Sequence, residues 1–313
     1  MRLAAAIGLV LLACFLAPQP RLKCQVTGTT KDVQSVSSPY SAEESGKVSS
    51  SLSSRESDLR SALNASPNSP EVAYELALVL RQEGKARKSL DMYTRAAGYR
   101  KPTTEELRSV ALDYVLLNDY DDAIHWLEIA IQMDPKDTGV LYSLGRCYYT
   151  KNRFPDAARM YAEVLAIQPH DLKAEENLGL VYDATNEPAK AEAALRTAVG
   201  WADANGKDEW PFLDLGGFLL DHNRTTEAVE PLRTATRIKP ECAVCHEKLG
   251  RALVAEHDLT GGLEALQTAT RLEPGNPRTH YELGRALRQA GQVEKAKQEL
   301  AISQKLYTTH SQE

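Results

Sequence analysis

The chain has 313 residues, 42% of them hydrophobic and 26% charged, a balance ordinary for a soluble protein. The formal net charge is −6, with acidic and basic side chains spread evenly along the chain. That charge argues against nucleic acid or an anionic membrane surface as the main partner, because either would reward a basic excess.

The amino terminus reads as an export signal. Arg2 precedes an almost unbroken apolar run from Leu3 to Ala17, followed by Pro18, Gln19 and Pro20. A run of about 15 residues suits the apolar region of a secretory signal better than a membrane span, which needs about 20. Leu11, Leu12, Ala13 and Cys14 are similar to a bacterial lipobox, in which Cys14 would be lipidated and become the mature amino terminus. A cleaved soluble signal and an uncleaved anchor are the alternatives. Residues 1–24 are thus assigned to a signal peptide or lipoprotein-type anchor, with the protein exported to the periplasm or held at the cell envelope, and with this segment as its only membrane contact.

Residues 25–51 turn to Ser, Gly and charged side chains, a composition that cannot bury enough surface to offset ordering and that predicts a flexible tether. In residues 52–69, Leu59, Ala62 and Pro67 lie 34 or 35 positions before Tyr93, Ala96 and Pro102, which predicts a lone helix over Leu52–Leu63 capping the segment that starts at residue 70.

From residue 70 onward the sequence repeats. Ala77, Ala111, Gly145 and Gly179 are 34 residues apart, Gly216 comes after 37, and Gly250 and Gly284 come after 34 each. A Leu or Val precedes every one of them and a Leu or Tyr stands three residues later, which is one face of a helix. Seven residues past each small residue stands Gly84, Asn118, Asn152, Asn186, Asn223, His257 or Gly291; Gly and Asn tolerate the left-handed conformation, so six of the seven units carry a helix stop there. A second small row then begins at Ser89, Ala123, Ala157, Ala191, Ala228, Gly262 and Ala296, with a Tyr or Leu four residues on, and predicts a second helix. Pro135, Pro169, Pro240 and Pro274 close their units.

These residues resemble the tetratricopeptide repeat family. The resemblance implies an all-α fold, a right-handed superhelical solenoid of about seven antiparallel helix-turn-helix repeats. The repeats fall at about 70–102, 104–136, 138–170, 172–207, 209–241, 243–275 and 277–307, within a domain spanning 70–313. The one break in period, Gly200 to Trp210, adds three residues; it is either a longer inter-repeat turn with Trp201 and Trp210 packed under it, or a hinge or contact loop.

In this family the first helix of each repeat lines the concave face. By register the exposed positions there include Tyr142, Arg146 and Tyr149 in the third repeat and Arg278, Tyr281, Arg285 and Arg288 in the seventh, with Arg251 beside them. Arg and Tyr are favoured at binding hot spots, so the stripe is either the seat of an extended, acidic protein or peptide partner or a solvated helix face.

Cys242, Cys245 and His246 spell C-x-x-C-H, the attachment pattern of c-type haem. Their register places them in the first turn of a packing helix, where a porphyrin would have to force two hairpins apart. The other reading is a helix start holding two free thiols or a local disulfide. No metal site is expected, because zinc would need ligands that no nearby Cys or His supplies. No G-x-S-x-G, H-E-x-x-H or phosphate-cradling glycine loop is present, so no catalytic residue and no cofactor other than the haem alternative is assigned. After Leu300 only Ile302, Leu306 and Tyr307 remain for the last helix to bury, which leaves that helix partly exposed or packed on a second copy of the chain.

Overall fold

The structure, a computed structural model, describes residues 42–202 and 206–310, with side chains from residue 51 to residue 309. The amino-terminal segment with Cys14, and the tether up to residue 41, lie outside the described residues. Among the described residues there are only helices. The chain divides into two compact units, Met1–Ile167 and Gln168–Glu313.

The first unit holds α1 (Ala42–Ala65), then three hairpins: α2 (Pro70–Gln82) with α3 (Ala86–Ala97), α4 (Thr104–Leu116) with α5 (Tyr120–Met133), and α6 (Thr138–Thr150) with α7 (Phe154–Ile167). Four hairpins make the second: α8 (Leu172–Ala184) with α9 (Pro188–Trp201), α10 (Trp210–Asp221) with α11 (Thr225–Ile238), α12 (Ala243–Ala255) with α13 (Leu259–Leu272), and α14 (Pro277–Gln289) with α15 (Val293–His310). Within each unit the first helices of neighbouring hairpins touch one another and form one layer, while the second helices pack between them from the other side. Each unit is therefore a stack of hairpins sharing apolar seams and not a closed core.

The two small rows explain the stacking. In each hairpin the small residue of the first helix lies under a large residue of the second, 16 positions on: a Cβ added at Gly216 would stand 2.5 Å from Leu232 Cγ, and one at Gly145 would stand 2.7 Å from the Tyr161 ring. Both large residues are fully buried. The first helices end alike. All seven residues of the turn row adopt positive φ, from 57° at Asn152 to 76° at Gly291, and His257, which the sequence does not mark as a stop, joins them at 67°. The next residue donates its N–H back to the carbonyl five positions earlier, as in Lys85 to Leu80 (2.8 Å) and Asp258 to Leu253 (2.9 Å). This double-bonded close satisfies the orphan carbonyls of the helix end and fixes the angle at which the second helix departs. Several starts carry side-chain caps, including the Thr103–Glu106 capping box and the Asp137 and Asp171 carboxylates.

Two sequence expectations are revised. The capping helix begins at Ala42, ten residues before Leu52, so residues 42–51 of the expected tether are helical. Between Ala42 and Pro67 no proline interrupts the chain, and helix propagation adds a hydrogen bond per residue once nucleated. Leu59 and Leu63 bury against the first hairpin, and Glu56 is held by Lys85 at 2.6 Å. The long turn after α9 packs one tryptophan, not two: Trp201 is half-buried with its ring edge-on to His170 at 5.0 Å, whereas Trp210 opens α10 with 42% of its surface exposed.

Candidate functional site

In the second unit α10, α12 and α14 border a cleft of about 560 Å³ on the first-helix layer. Arg251, Arg285 and Arg288 line it, against one acidic side chain, Glu282. Glu282 already pairs with Arg285 at 3.2 Å. Its apolar wall comes from Leu220, Val254 and Ala286. Successive first helices present equivalent register positions here, since Arg251 and Arg285 each stand one residue after the small residue of their helix. Three guanidinium groups facing one carboxylate leave a local positive excess that suits an anionic group, and Arg offers planar, bidentate bonding to it.

The remaining members of the predicted stripe are distributed differently. Arg278 does not line the cleft; its Nε lies 2.9 Å from Glu247 Oε1, an ion pair that ties α14 to α12. Arg251 Nη1 stands 3.9 Å from the same oxygen and, although buried, has no hydrogen-bond partner. Tyr281 is 45% exposed, with the Arg285 guanidinium 5.8 Å from its ring centre. Tyr142, Arg146 and Tyr149 sit on α6 of the first unit, where Arg146 is exposed, Tyr142 leans on the Tyr161 ring (5.8 Å) and Tyr149 on Phe154 (5.6 Å).

Beneath the second unit's face lie charged groups that the sequence reading did not single out. Glu247 is buried on α12, and burial pushes its carboxyl above the usual range despite Arg278 and Arg251 nearby. Lys248 reaches over Gly217, where a Cβ would stand 2.9 Å from its Nζ, and burial holds its ammonium below the usual range. Farther along, Glu176 of α8 stands beside Asp214 of α10; burial raises both carboxyls, and the Asp214 charge adds to the shift that takes Glu176 to about 10. One signal could have found Glu176 and Glu247. Both stand three residues before the small residue of their helix, a position that holds Tyr74, Tyr142 and Tyr281 in other repeats.

The sulfurs of Cys242 and Cys245 are joined to each other at the start of α12, with Cys242 as the helix cap accepting the Cys245 N–H at 3.2 Å. His246 Nε2 bonds the Pro240 carbonyl at 2.9 Å. Thioether attachment needs two free thiols and an unengaged imidazole, so the residues as arranged here do not fit haem; the local disulfide is the reading the structure adopts. Among the described residues no group of three or more His, Cys, Asp and Glu is arranged to hold a metal ion, and no helix is long and apolar enough to cross a membrane.

Two family models, each described as tetratricopeptide repeat, match residues 114–171 with 253–306 and residues 149–209. BBSome complex member BBS4 of Bos taurus is 27% identical over 132 residues, covering 42% of this chain and 25% of that protein. The chain spans only about a quarter of the length of that curated relative. Among solved structures, yeast Tom70 covers 85% of this chain and 57% of its own at 14% identity with a TM-score of 0.66. Pseudomonas aeruginosa pilF covers 70% and 97% at 17% identity with a TM-score of 0.58.

Proposed function

Because this chain belongs to the tetratricopeptide-repeat family, whose members generally serve as non-enzymatic scaffolds, we propose that it binds a partner protein through the first-helix layer, with the Arg251, Arg285 and Arg288 cleft receiving acidic groups of an extended segment. The observation that carries this reading is the gathering of three guanidinium groups from two helices around one already-paired carboxylate. An apolar wall beside them supplies the desolvated floor on which such contacts gain strength.

Placement at the cell envelope is part of the same proposal. The apolar run after Arg2, the lipobox-like residues ending at Cys14 and the Cys242–Cys245 disulfide all favour an exported protein, since disulfides persist in oxidising compartments. The exposed Ile302 and Tyr307 on α15 leave room for self-association as a second contact.

The test is a fluorescence-anisotropy titration of the full chain with labelled peptides rich in Glu and Asp. Saturable binding is expected, and the double variant Arg285→Glu, Arg288→Glu should weaken it at least about tenfold with helicity intact. Equal affinity in the variant would reduce the stripe to a solvated helix face.

A further inference from the structure

The inner face of the second unit is electrically divided along the stack. Helices α8 and α10 carry five acidic residues against a single base, Lys173, whereas α12 and α14 carry five bases against two acids, Glu247 and Glu282. Buried polar atoms without a hydrogen-bond partner occur on both halves, Glu247 Oε1 of the basic half among them. At the acidic end Glu176 is 5% exposed and its Oε1 has no hydrogen-bond partner, and at the basic end the buried Arg251 Nη1 has none. Arg251 Nη1 is a donor without an acceptor, and Glu176 Oε1 is a carboxyl oxygen without a partner.

We propose that this face takes a segment of mixed charge in one direction only, a basic side chain meeting Glu176 and Asp214 and an acidic one entering the Arg251, Arg285 and Arg288 cleft. The inference rests on the reading of the face as a partner-binding surface and adds the second, basic contact and its spacing. Neighbouring helices lie about 10 Å apart, so two steps along the layer are about 20 Å, or about six residues of extended chain. Lys248, lying over the bare backbone of Gly217, occupies the ground between the two halves and repels a base placed out of register.

The carboxyl pair suits this role. Burial raises both carboxyls, and the charge of Asp214 helps take Glu176 to about 10, so Glu176 carries a proton at neutral pH, with Asp208, Lys173 and Lys248 the other charged groups that act on the two. An arriving ammonium or guanidinium favours the ionised pair and expels that proton. Binding is therefore coupled to proton release.

Four labelled ten-residue peptides on an Ala/Ser background test the proposal against the full chain: acid only, base only, and base and acid six residues apart in each order. One mixed order should bind at least about fivefold tighter than the acid-only peptide, with heats that differ between phosphate and Tris buffers at neutral pH. In Glu176→Gln the ratio between that peptide and the acid-only peptide should fall to about one. Mixed peptides no tighter than acid-only, or a gain that survives Glu176→Gln, overturns the divided-face proposal and leaves the acidic-partner reading standing. No saturable binding by any of the four overturns both.

Discussion

The two units share one scaffold and present different inner faces. In the first, the positions one, four and five residues after each small residue include Leu78, Arg81, Leu112, Val115, the 54%-exposed Leu116, Arg146 and Tyr149, so Arg81 on α2 and Arg146 on α6 are the charged members. In the second they include Leu180, Asp183, Gly217, Leu220, Arg251, Val254, Arg285 and Arg288, with the buried carboxyls of Glu176 and Glu247 beneath, so the arginines there gather on the last two first helices, α12 and α14. The small rows, the large residues above them and the left-handed turns are the same in both. Seam positions are constrained by packing to a narrow set of residues, so the positions that vary freely are where the chemistry of binding is written.

The largest test of the shared scaffold is at Gly216. Gly216→Ala should cost about 1–3 kcal/mol in a urea titration, because the new methyl meets Leu232 at 2.5 Å. The converse change in the first unit, Ala111→Gly, should cost only about 0.5–1 kcal/mol, since it removes a tolerated methyl and loosens a helix. Similar losses at the two sites would mean that the crossings are not equivalent.

The seam has one exception, and it sharpens the contrast. Asp113 on α4 is fully buried with no hydrogen bond to either oxygen, at a position filled elsewhere by Val79, Cys147, Val181, Phe218, Ala252 and Ala286. Burial pushes its carboxyl up to about 7. The unfolded chain ionises at an ordinary, lower pH, so the folded state is penalised above pH 7 and relieved as the pH falls toward 4. Asp113→Val should therefore stabilise the protein by about 1–3 kcal/mol at pH 8, with the gain shrinking at pH 4, as measured by thermal melts read by circular dichroism. A pH-independent gain would remove the titration from the account.

Smaller effects complete the comparison. Opening the Cys242–Cys245 bridge as a double Ser variant should cost less than about 2 kcal/mol, because a four-residue loop restrains little chain entropy. Arg146→Glu on the first unit should change the affinity for acidic peptides by less than about twofold, against the tenfold expected at Arg285 and Arg288.

How much of this could be read in advance depended on range. The hairpins were legible because the crossing contact and the helix stop each recur at fixed spacing, so Gly145 or Asn152 is informative through its six counterparts. His257 was missed because residue preference is a weaker signal than the turn itself, which closes on backbone bonds whatever the side chain. The start of α1 was missed for the opposite reason, a Ser-rich composition that reads as tether although nothing in it breaks a helix. The Arg251, Arg285 and Arg288 grouping came from register. Pairings such as Glu176 with Asp214 or Arg278 with Glu247 did not, since they join helices through distances that no single repeat encodes.

The hairpin formed by α14 and α15 has a neighbour on one side only among the described residues. A stack held by nearest-neighbour interfaces opens most cheaply where one interface is missing, so amide exchange should be fastest in this hairpin. Arg285 and Arg288 are carried on it. A guest gripping those side chains would add contacts to the hairpin, and occupancy would be felt as slowed exchange across α14 before any shift in backbone position could be seen.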